Sequence, residues 1–185
     1  MSIWVYIINI AVVLIVAVTF IRSFPERGWP ALAFYTVLSN LMAAVSGMLL
    51  MAFVPGVFTS ALRDLAACMM VMTFIVTCCI LVPLSGQAKM LLIEGNSFFH
   101  HLLCPVLTFV SYVFLEPHSR LWAVPVAFTF AYGMLMLWLN HKGKVDGPYP
   151  FFRVHQQKPL ATVVWMAALL AMISVISLGI LRIAG

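Results

Sequence analysis

Charge is scarce along this chain of 185 residues: only 8% are Asp, Glu, Lys or Arg, ten of them basic and five acidic. Soluble domains carry about 25%, so no water-facing surface can be built from this composition. Cysteine is thin as well. The four present, Cys68, Cys78, Cys79 and Cys104, all lie inside apolar runs, where a free thiol is usually a small packing residue. There is no CxxC pair and no disulfide framework. No basic stretch precedes the first apolar run and no small-residue cleavage pattern follows it, so that run is expected to remain as a span and not to be removed as a secretory signal. The net charge of +5 calls for no nucleic-acid partner, because in so apolar a chain basic residues act as orientation signals.

What the chain does have is apolar length. Hydrophobic residues make up 64% of it and the mean hydropathy is +1.11. A membrane helix needs about 20 mostly apolar residues. Six runs qualify: Ile3–Ile21, Ala31–Phe53, Leu65–Leu84, Phe98–Leu115, Leu121–Leu139 and Leu160–Leu181. The expected fold is therefore all-α, a polytopic bundle of six transmembrane helices forming one domain over residues 1–185. Joints one, three and five hold Arg22, Arg27, Lys89, Lys142, Lys144, Arg153 and Lys158, against Arg63, Arg120 and Arg182 on the other side. The positive-inside rule then puts those odd joints in the cytoplasm and both termini outside.

Polar groups are few enough to weigh one by one. In the second span, Thr36, Ser39, Asn40, Ala43 and Gly47 stand at offsets of 0, 3, 4, 7 and 11, so they share one helical face. Packing is the plain reading of such a stripe, since small residues let helices approach and hydroxyl and amide groups bond between spans. Pro30 suits the first turn of this helix, and Pro55 with Gly56 ends it. Arg63 and Asp64 read as an adjacent pair facing solvent or headgroups at the start of the third span. Cys78 has nothing beside it in sequence to lower its pKa. The aromatics of the joint from Lys142 to Arg153 suit the headgroup region.

The fourth span opens with Phe98-Phe99-His100-His101-Leu102-Leu103-Cys104-Pro105. Two imidazoles at the mouth of an apolar segment raise the question of function, and the plain reading is a pair reaching for headgroups. Pro105 frees a backbone carbonyl about one turn earlier. Thr36 and His101 lie at similar depth below the same boundary, where a neutral histidine can act as base for a hydroxyl nucleophile. A haem or metal site is another reading, because His100, His101, His141 and His155 fall on one side. No second histidine faces them within an opposing span, and the spacings match no tight zinc motif.

Three short motifs in order, Phe34-Tyr35-Thr36-Val37-Leu38-Ser39-Asn40-Leu41, a histidine a turn before Pro105, and Gly147-Pro148-Tyr149-Pro150-Phe151, resemble the bacterial branch of the androgen-induced and androgen-dependent integral-membrane hydrolases, whose eukaryotic members hydrolyse fatty acid esters of hydroxy fatty acids. The resemblance implies a lipid-ester hydrolase in a bacterial inner membrane, without a cofactor, acting on a lipid or fatty-acyl ester drawn from the bilayer. It carries over Thr36 as nucleophile and a fourth-span histidine as base: His101 on the spacing of bacterial relatives, His100 on the eukaryotic spacing. Ser39 and Asn40, on the face of Thr36, are the expected oxyanion donors. The rival expectation is a non-enzymatic membrane protein, a small-solute carrier or partner subunit, that uses the same stripe for packing.

Overall fold

A computed structural model of the chain describes every residue except Val54, Pro55, Ser119, Arg120, Gly147, Pro148 and Gly185. The expected helix stop at Pro55, the outer Arg120, and Gly147-Pro148 of the third motif thus lie outside the described residues. Among the described residues there are seven helices and no strand. They are α1 (Ile3–Arg27), α2 (Tyr35–Ala52), α3 (Val57–Ser85), the short α4 (Ala88–Leu92), α5 (Phe99–Leu115), α6 (Ala123–His141) and α7 (Pro159–Ala184). The all-α bundle expected from composition is present. Five helices, α1, α2, α3, α6 and α7, are long and apolar enough to cross a membrane, which makes this a multi-pass membrane protein. The fourth expected span, α5, has 17 residues, about 26 Å at 1.5 Å per residue, slightly less than a bilayer's hydrocarbon thickness.

Helix α3 is the axis. It packs against α2, α5, α6 and α7, while α1 closes the side between α2 and α5, and α7 touches both α5 and α6. Going round α3, the order is α2, α1, α5, α7, α6. Every neighbouring pair in that ring packs closely except α6 and α2, which touch through Tyr35 and Tyr132.

Local chemistry sets the boundaries. Gly28, at φ +59°, ends α1 and sends its N–H back to the carbonyl of Phe24 at 2.7 Å; glycine takes this left-handed backbone at no steric cost. Pro30 then opens a 3₁₀ turn, Trp29–Ala33, instead of the next helix. Extended Phe34 resets the chain, so α2 begins only at Tyr35 and Thr36 is its second residue, not its sixth.

Both α3 and α5 contain a π-helical turn, Thr77–Leu81 and Phe99–Leu103, closed by N–H groups that reach back five residues, Val82 to Thr77 and Cys104 to Phe99. Each turn stands immediately ahead of an X-Pro pair, Val82-Pro83 and Cys104-Pro105. In a π register the residue five after His100 is Pro105, which has no N–H. The carbonyl left over is therefore that of His100, and Asn40 Nδ2 donates to it at 3.2 Å. Single π turns within α-helices often mark functional segments.

At the end of the bundle away from the seven basic joint residues, the expectation for Arg63 and Asp64 is overturned. Arg63 is 1% exposed and forms a two-pronged pair with Glu116, Nε to Oε2 and Nη2 to Oε1, both 2.7 Å. Its remaining Nη1 donates to Ser46 Oγ at 3.2 Å and to the carbonyl of Ala43 at 3.4 Å. Glu116 also accepts from Ser111 Oγ at 2.5 Å and Asn9 Nδ2 at 3.2 Å, and Tyr112 Oη donates to Asp64. Helices α1, α2, α3 and α5 are thus joined through one buried polar cluster. A charge in an apolar bundle is stable only when paired and hydrogen-bonded, which is why the pair turns inward. Gly47 belongs to this packing, since a Cβ there would stand 2.8 Å from Asn9 Oδ1.

Candidate active site

Thr36 sits at the basic end of the bundle, half-buried, in the first turn of α2. The first N–H groups of a helix have no partner within it. That of Thr36 is taken by Tyr149 Oη at 3.2 Å, and the same phenol lies 3.3 Å from Thr36 Oγ1. Because the phenol oxygen accepts from the backbone N–H, its own proton is free to point at Oγ1 or at a ligand. Burial pushes the Tyr149 phenol up from its ordinary value, only partly offset by its hydrogen bonds to Thr36. It therefore stays protonated at neutral pH and acts as a donor, not a base.

Tyr149 comes from the joint between α6 and α7, whose aromatics turn out not to face headgroups. Tyr149, Phe151 and Phe152 are buried, and Tyr149 stacks on Phe151 with ring centroids 5.1 Å apart. Pro150 holds Tyr149 extended, which folds the aromatic run back under α2. Only the third motif drew attention to Tyr149. No local pattern announces a partner 113 residues away.

Thr36 and Tyr149 border a small pocket, a cavity of about 40 Å³. Its walls come from α3 (Met72, Val76, Leu81), α6 (Gly133) and α7 (Met166, Leu169), with Phe152 at the basic end. Hydroxyl groups are concentrated toward α2: Thr36, Thr73, Thr77, Thr129 and the tyrosines. The remaining wall is apolar. Ligand sites commonly have this character, apolar with a few convergent polar groups.

The other expected site residues are placed as follows. Ser39 is fully buried; its Oγ donates to the carbonyl of Thr36 at 3.0 Å and lies 2.9 Å from Thr73 Oγ1. Asn40 Nδ2 bridges the carbonyls of Thr36, at 2.8 Å, and His100. Both expected oxyanion donors are thus engaged within the protein, while Asn40 Oδ1 is buried with no partner. His100 and the nucleophile meet through Asn40 and backbone, not through the imidazole. His100 Nε2 lies 2.7 Å from Thr19 Oγ1 of α1, whose proton goes to the carbonyl of Ile15 at 2.8 Å. His101 Nδ1 lies 2.5 Å from the carbonyl of Leu91 in α4. A carbonyl can only accept, so Nδ1 carries the proton, and a neutral His101 presents the lone pair of Nε2. The tautomer is the one a base needs. Neither imidazole is hydrogen-bonded to Thr36.

Among the described residues, no three His, Cys, Asp or Glu side chains converge on a point that could hold a metal ion. His141 and His155 stack on one another with ring centroids 5.8 Å apart. Cys78 is half-buried and its thiol lies inside α3. Comparisons of the chain with models of known families, with curated proteins and with solved structures find no match.

Proposed function

We propose that this membrane protein is a lipid-ester hydrolase, similar to the androgen-induced and androgen-dependent hydrolases, with Thr36 as nucleophile. One observation carries the reading: a threonine hydroxyl, with a protonated phenol 3.3 Å away, stands at the polar end of an otherwise apolar pocket. The apolar walls match an acyl chain in chemical character, and the proposed pose sets its ester carbonyl beside Thr36. Oγ1 attacks that carbonyl, His101 Nε2 takes the proton and returns it to the departing alcohol, and water releases the acyl group from Thr36 by the reverse use of the same groups. The carbonyl of Leu91 orients His101 through Nδ1–H, with His100 as the alternative base. Tyr149 Oη donates to the developing oxyanion, the role first expected of Ser39 and Asn40. With seven basic joint residues at the site's end, that end faces the cytoplasm of a bacterial inner membrane.

A fluorophosphonate probe tests the chemistry. The protein in detergent should label, Thr36→Ala should abolish labelling, and Tyr149→Phe should slow it by about 10²–10³ if the phenol serves the oxyanion. Labelling unchanged in Thr36→Ala overturns the assignment. A second reading has its own observation in its favour, namely that the side chains of Ser39, His100 and His101 are all bonded within the protein. On that reading the chain holds a lipid without cleaving it, and neither the wild type nor any variant labels.

A further inference from the structure

The ring of helices around α3 has one seam where neighbours pack least, that between α2 and α6. A groove runs there, lined by Leu38, Leu41, Met42 and Val45 of α2 and Phe128 of α6. All five side chains are apolar. Val45 is 44% exposed and the other four are half-buried. Both flanking helices are long and apolar enough to span a bilayer, so what the groove meets is lipid acyl chain.

The groove and the inner pocket are lined by neighbouring residues of the same two helices. One turn before Leu38 on α2 is Tyr35, and one residue after Phe128 on α6 is Thr129. These two line the inner pocket as well, and they meet across the seam, Tyr35 Oη to Thr129 Oγ1 at 2.9 Å. The Tyr35 ring packs edge-on against Tyr132, whose hydroxyl donates to the carbonyl of Ala33 at 2.6 Å. These contacts fasten α6 to the start of α2, and their residues line the pocket.

We infer that the α2–α6 seam is a lateral portal by which a single acyl chain passes from the bilayer into the pocket, and that the Tyr35–Thr129 hydrogen bond is its latch. This deepens the reading of the pocket as a lipid site and needs no hydrolysis. An acyl chain sliding between Leu38 and Phe128 exchanges one apolar surrounding for another, so the passage has no large desolvation barrier. The polar atoms to be parted are two hydroxyl groups.

The test uses the whole protein in phosphatidylcholine vesicles, mixed with palmitic acid that carries a mid-chain diazirine and photolysed at increasing times, with labelled peptides mapped by mass spectrometry. Label is expected on Phe128 at the seam and later on Met166 in the pocket, with lipid-facing Leu14, 60% exposed on α1, as the measure of bulk contact. Leu38→Trp, which plugs the groove, should slow Met166 labelling several-fold and leave Leu14 unchanged. Tyr35→Phe keeps the ring but removes the latch, and should speed Met166 labelling by a factor of about 2 to 10, the equilibrium worth of one hydrogen bond. It also serves where the tryptophan variant does not fold. Met166 labelling at the wild-type rate in both variants overturns the portal, even if the protein cleaves esters. The expected labelling pattern in a protein that no fluorophosphonate modifies would uphold the portal and remove the hydrolase.

Discussion

The buried Arg63–Glu116 pair gives the sharpest quantitative test of the fold. Arg63→Met leaves Glu116 charged beneath the surface with only Ser111 and Asn9 as donors. Glu116→Leu leaves Arg63 with Ser46 and the carbonyl of Ala43. Removing one partner of a buried pair costs about 3–5 kcal/mol. For a chain of this size, that is a fall in Tm of roughly 6–20 °C, at about 2–4 °C per kcal/mol. Replacing both partners removes both charges and fills their place with apolar groups, and such exchanges are often close to neutral. Some cost remains for the stranded hydroxyl and amide groups, about 1–3 kcal/mol in all. The double variant should thus be more stable than either single one, and a double-mutant cycle should return a coupling of at least about 3 kcal/mol. Unfolding in detergent can be followed with a thiol-reactive dye, because Cys68 and Cys104 are buried at 2% and 0% exposure. Single losses below about 1 kcal/mol, or a double loss equal to the sum of the singles, would show that the two charges are solvated and not paired.

The same pair predicts a pH response. Burial pushes the Glu116 carboxyl up, but the Arg63 charge and the hydrogen bonds from Arg63, Ser111 and Asn9 outweigh it and hold the group below its ordinary value. A lowered carboxyl stabilises the fold above the unfolded pKa of about 4.3 and stops doing so as pH falls through the folded value. Tm should be flat from pH 8 to about 5 and then fall, whereas Arg63→Met, where burial outweighs the two neutral donors that remain, should gain Tm as pH falls toward about 4.3. Two glycines should separate by what a methyl would meet: Gly47→Ala presses on Asn9, fixed by three hydrogen bonds, and should lose about 1–3 kcal/mol. Gly133→Ala meets only the mobile end of Met166 at 2.5 Å, so it should unfold near the wild-type temperature while narrowing the pocket, seen as weaker competition by bulky acyl chains. Asn40→Leu strands the His100 carbonyl and should cost about 1–3 kcal/mol; adding Pro105→Ala, which restores an N–H, should recover part of it, and no recovery would refute the π-turn account.

Helix type was legible because apolar length is a local property, but the count was not: five helices are long and apolar enough to span a membrane where six spans were expected. The expected pairing of Thr36 with His101 rested on counting residues from boundaries; the link that forms between the two helices runs through Asn40 to the carbonyls of Thr36 and His100, not between the two side chains. Arg63 was misread because a charge near the start of a helix is ordinarily solvated. Only a carboxylate 53 residues away, on another helix, turns it inward. Tyr149 was hidden for the same reason. Its neighbours Pro150 and Phe151 describe an aromatic joint equally suited to headgroups, and its place under α2 depends on how α6 and α7 return to the bundle. The start of α2 was misplaced because apolarity runs through Ala31–Ala33 without a break, while the chain there turns on backbone geometry.

The paired π turns ahead of Pro83 and Pro105 have a consequence for how the chain can change over generations. A π turn accommodates one residue more than an α-helix would, and each residue of helix turns the following face by about 100°. In α3 and α5 alike, the half that holds the charged cluster and the half that borders the basic end are therefore set at a fixed angular offset by the π turn. A lineage could lose or remodel the chemistry around Thr36 and His101 while keeping the Arg63–Glu116 fastening, and deletion of a single residue within Phe99–Leu103 would be enough to turn both imidazoles to a different neighbour.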